Sequence, residues 1–85
     1  VKPSIGRIVI VKGGGAVSNG ADLAPAIITR IWSDGDTKDG QVLVNLHVLP
    51  DLAGAKLLGS VHLYDSEAEC QEVYDHAQAF WPERT

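Results

Sequence analysis

The chain has 85 residues, one domain's worth, and at that length folding hides only about 60–65% of the surface the unfolded chain exposes, so the core is small. A single cysteine, Cys70, excludes an intrachain disulfide and a cysteine-rich zinc site, and it suits a reducing compartment. The formal net charge of −4 argues against a nucleic-acid partner, because that affinity is built from neutralised phosphates.

The charge is uneven. Through Trp32 the chain carries +3 and from Ser33 onward −7, a polarity that suits contacts between copies. No apolar run approaches the roughly 18 residues a membrane span needs, so no membrane partner is expected. Val1-Lys2-Pro3 reads as an ordinary start after methionine removal, with no leader, and the expectation is a soluble intracellular protein.

The first strand is read over Gly6–Lys12, where Arg7, Val9 and Val11 alternate with Ile8, Ile10 and Lys12. Gly13–Gly15 and Ser18-Asn19-Gly20 then favour a long loop over residues 13–24, a length more often functional than incidental. It is not a phosphate-binding loop, since it lacks the lysine and the hydroxyl residue and opens no helix. A second strand starts at Pro25, with Ile27, Thr29 and Ile31 on one face and Ala26, Ile28, Arg30 and Trp32 on the other. Ser33–Gly40 is a polar hairpin connection with its tight turn at Asp39-Gly40.

The third strand, Gln41–Leu49, has the cleanest alternation: Val42, Val44, Leu46 and Val48 inward, Gln41, Asn45 and His47 outward. Pro50-Asp51 ends it. The fourth, Leu58–Tyr64, returns with Val61 and Leu63 inward and Ser60, His62 and Tyr64 outward. Ser66 with Glu69 is a capping-box spacing, and Cys70, Val73, Tyr74, Ala77 and Trp81 follow at helical intervals, so a helix is expected from about Glu67 to Ala77. His76 then suits the carbonyl end of that helix. Pro82 forbids continuation, and Gln78–Trp81 reads as a short fifth strand that closes the seam. The whole is mainly β, a small closed or nearly closed antiparallel barrel of about five strands with one short helix before the last.

Gly6-Arg7-Ile8-Val9, Ala26-Ile27-Ile28-Thr29 with Trp32, Leu43-Val44-Asn45-Leu46, Ser60–Asp65 and Trp81-Pro82-Glu83-Arg84 together resemble small uncharacterised proteins of tailed bacteriophages, over nearly the whole chain. That resemblance implies an SH3-like barrel, viral origin and a place in the host cytoplasm or the virion, with no agreed activity attached. Gly59-Ser60-Val61-His62-Leu63-Tyr64 is similar to the active-site strand Gly-Ser-Val-Gln-Ile-Tyr of the plasmid-borne type II dihydrofolate reductases, which are also small SH3-like barrels. In that family four copies surround a pore that holds dihydrofolate and NADPH. Ser60 and Tyr64 match, Leu63 and His62 depart, and the pore lysine falls at Val11 with Lys12 beside it.

No residue pattern supports catalysis or metal binding. Ser18, Ser33, Ser60 and Ser66 have turn, surface or capping roles, and none stands in a strained strand-to-helix elbow. His47 and His62 sit on neighbouring strands and are expected to face one another, but a zinc site needs further ligands. Paired carboxylates such as Asp34 and Asp36 serve solubility, with nothing nearby to raise one pKa. The binding candidates are Arg30, Trp32, Asn45, His47, Ser60, His62 and Tyr64, outward aromatic, amide and basic groups of the kind that recur at interfaces. The reading is a non-enzymatic bacteriophage accessory protein, without a cofactor, that binds itself, a virion component or a host protein. The alternative is an oligomeric NADPH-dependent reductase.

Overall fold

The period of two along a strand gives each strand one face for the interior, and the chain closes those faces around a single core. The computed structural model describes residues 3–13, 23–35, 41–50, 54–70 and 77–82. Its elements are β1 (Ile8–Lys12), β2 (Leu23–Asp34), β3 (Val42–Val48), β4 (Lys56–Tyr64), a single 3-10 turn (Glu67–Glu69) and β5 (Gln78–Phe80). The strands form a closed barrel in the order β1-β2-β3-β4-β5, a mainly β architecture of the small SH3-like kind.

Neighbouring strands pair antiparallel except at one seam. There β5 runs antiparallel to β1, with Val11 opposite Ala79, and parallel to β4, with Leu63 opposite Ala79. The fifth strand therefore closes the barrel as its sequence suggests, and Trp81 N–H adds a bond to the Tyr64 carbonyl at 3.1 Å. Val9, Val11, Ala24, Ala26, Ile28, Val44, Leu46, Val48, Val61 and Leu63 are buried in the core with Ala79 and Trp81. Ile28 and Leu46 are among the largest fully buried side chains, each contributing about 1.5–3 kcal/mol by removal from water. Arg7 lies over the Trp81 ring, 5.0 Å from its centroid, and the Trp81 indole is buried with the core while Trp32 stays exposed.

Two sequence expectations need correction. Plain alternation in β2 puts Arg30 and Trp32 on the face of Ile28. The register slips between Ile28 and Arg30 and again between Ile31 and Ser33, and a bulge inserts an extra residue that shifts the period of two. Ile28 and Ile31 both pack on the core, while Arg30 and Trp32 are exposed. The helix expected over 67–77 begins at Glu67 but stops after one turn, because Cys70 is extended (φ −66, ψ 142). The Ser66 side chain makes no capping bond; instead Asp65 N–H donates to Glu69 Oε2 at 3.0 Å. Residues 71–76 with His76, most of the 13–24 loop, and the Asp39-Gly40 turn lie outside the described residues.

Candidate functional site

The outer wall of β2, β3 and β4 carries the polar and aromatic groups, and Asn45 is its fixed point. It stands on β3 where both neighbouring strands depart from regular pairing: β2 slips around Thr29, and β4 carries an extra residue opposite the step from Val44 to Leu46. At that second bulge Ser60 adopts φ +53, a left-handed conformation that costs a side-chain-bearing residue about 1–2 kcal/mol. The compensating contact is explicit, since Ser60 N–H donates to Asn45 Oδ1 at 2.9 Å.

The same oxygen accepts from Trp32 Nε1 at 2.7 Å. Two donors converging on one atom fix which end of the amide is the carbonyl. Thr29 Oγ1 donates to the Asn45 backbone carbonyl at 3.2 Å, so one residue ties down both bulges and the indole. Arg30 completes the group, its guanidinium carbon 3.8 Å from the Trp32 ring centroid, a cation–π contact worth about 0.5–1 kcal/mol at an exposed site. Trp32 remains 51% exposed. A large aromatic surface is thus held in one orientation yet left facing solvent.

Four sequence candidates therefore meet: Arg30, Trp32, Asn45 and Ser60. His62 and Tyr64 continue along β4, their rings stacked with centroids 6.3 Å apart and planes 28° from parallel. His47 lies off to one side. It pairs with Leu57, whereas His62 pairs with Leu43, so the two imidazoles do not face each other as expected. Four residues of β3 separate those two rows, about 13 Å. No group of three metal-binding side chains forms among the described residues.

The structure adds a feature that residue-by-residue reading passed over. Ile8 pairs with Ile27, Ile27 with His47, and His47 with Leu57, an outward row crossing four strands that contains no formal charge. Ile8 is 47% and Leu57 78% exposed. The signal was present in the sequence as apolar residues at nominally outward positions, but the register that aligns them is a property of the pairing.

Past the end of β4 the chain turns acidic, with Asp65, Glu67 and Glu69 in and around the 3-10 turn. Lys12 Nζ reaches Glu67 Oε2 at 3.7 Å. Cys70 sits beside them with its thiol pKa raised above the ordinary 9.0, chiefly by burial; Lys12 opposes the shift, and Glu67 and Glu69 add to it. A thiol of that kind is not an activated nucleophile.

No family model, no curated protein and no solved structure matches the chain.

Proposed function

We propose that this domain is a non-enzymatic binding protein, an accessory protein of a bacteriophage that holds a protein partner on the outer wall of β2, β3 and β4. The supporting observation is the Arg30–Trp32–Asn45 cluster: an indole half in solvent, its N–H anchored by Asn45 and its face covered by Arg30. Trp, Tyr and Arg dominate the energetics of protein interfaces because they offer large area at little conformational cost when already fixed. A virion component, a host protein or a second copy are the partners this reading admits, in the host cytoplasm or the virion.

Tagged protein produced during infection tests it. We expect a co-purifying protein, or an oligomer of the chain itself, that is lost with Trp32→Ala while the variant's melting stability stays within about 1 kcal/mol, as for a surface change. Identical recoveries from wild type and variant overturn the assignment of the surface.

The shared outward face of Ser60, His62 and Tyr64 favours a second reading, an oligomeric NADPH-dependent reductase. Against it, the position matching the reductases' pore lysine is Val11, fully buried in the barrel, and Lys12 is engaged with Glu67. Turnover of dihydrofolate with NADPH that Tyr64→Phe abolishes is the result that would raise this reading above the first.

A further inference from the structure

Four of the six large apolar side chains that stay exposed among the described residues, Ile8, Leu23, Leu49 and Leu57, belong to one patch. Its spine is the row Ile8–Ile27–His47–Leu57. Beside that row Leu49 N–H donates to the Pro25 carbonyl at 2.9 Å, and Leu23, opposite Lys12, stands two residues before Pro25. Barrel strands tilt by about 35–45° to the axis, so a row across them climbs along the barrel instead of girdling it. Among the described residues the patch carries no formal charge until its corner, where Lys12 and Glu67 pair with each other. The Trp32 cluster lies away from it, past the slip that follows Ile28.

We propose that a second copy of this chain covers this patch, the two molecules related by a two-fold axis through it. The chain is acidic, −4 overall, so copies repel at a distance and adhere only where apolar contact outweighs that repulsion. A two-fold contact sets one surface against itself, and a surface without charge opposes no like charges whichever way the copies turn. Other occupants fit less well. The patch has no ion for a charged partner to recognise, the closed barrel leaves no free edge for an added strand, and its convex outside offers an inserted helix no groove. What remains is a broad, uncharged apolar surface, and the chain itself supplies one. Contiguous apolar surface on the order of a few hundred Å² is at the limit of what a soluble monomer leaves in water. Two such patches with their rims bury about 1,000 Å², near the lower edge of specific interfaces, so the dimer is a weak one. The inference goes beyond the binding wall, because Arg30 and Trp32 stay free for another partner.

Sedimentation velocity of the purified chain, run from about 10 μM to about 1 mM, gives the test. We expect a monomer–dimer equilibrium whose dimer fraction rises with sodium chloride, which screens the mutual repulsion, and rises further with sulfate. Ile8→Asp and Leu57→Asp each weaken association at least about tenfold, since a carboxylate on a two-fold face is buried twice without a partner. Leu57→Met, which keeps the apolar volume, retains the dimer. Both positions are exposed, and melting curves show that each variant is folded. Amide resonances that move on dilution map to Ile8, Ile27 and Leu57. A chain still monomeric at the highest concentration, a dimer that both Asp variants leave intact, or a dimer that salt dissolves overturns the proposal. So does a dimer that Trp32→Ala abolishes, which places the self-contact on the wall. A monomer that captures another protein in a Trp32-dependent way removes the dimer and leaves the proposed function standing; a dimer without that capture does the reverse.

Discussion

Asn45 shows how much one side chain holds in a domain this small. Its amide oxygen receives two donors, Ser60 N–H and Trp32 Nε1, the first of them from a residue at positive φ. Asn45→Ala should cost about 0.5–1.5 kcal/mol in a denaturant titration, the net worth of a hydrogen bond whose freed donors reach water, and should let the Trp32 fluorescence become more mobile. Ser60→Gly in the same titration is neutral or stabilising, since glycine accepts φ > 0 freely, whereas Ser60→Val loses more than 1 kcal/mol. Cys70 supplies a pH dependence. Because its folded pKa lies above the ordinary 9.0, the folded state binds the proton more tightly; this contribution is complete below about pH 9 and is lost as pH rises through the raised value. The wild-type melting temperature should therefore fall more steeply above pH 9 than that of Cys70→Ala.

At the level of elements, the strands were legible because a period of two survives averaging, and Val42, Val44, Leu46 and Val48 state it without interruption. The face assignment of β2 was not legible. A bulge leaves no mark on hydropathy: Thr29 reads as an ordinary strand residue, and only pairing with β3 shows that an extra residue takes Arg30 off the face of Ile28. The acidic 3-10 turn was hidden for a related reason, since helical spacing at Cys70, Val73 and Ala77 does not report that Cys70 is extended. The seam is the element most open to perturbation. Ala79 is fully buried between Val11 and Leu63, where a larger side chain forces strands apart at a cost of about 1–3 kcal/mol. Ala79→Leu should speed amide exchange at Trp81, whose N–H bonds Tyr64, before it speeds exchange in β3.

For the whole molecule, the five-strand barrel, its inner wall and its closure followed from spacing and turn chemistry, whereas the outer wall needed coordinates. Arg30 and Trp32, Asn45, and Ser60 come from three different strands, and their meeting depends on two bulges that face each other across β3.

The seam has a further consequence for engineering. Since β5 lies directly beside β1 and Arg7 stacks on Trp81, the first and last strands are fastened together at one corner, and a cross-link engineered there would lock the barrel shut.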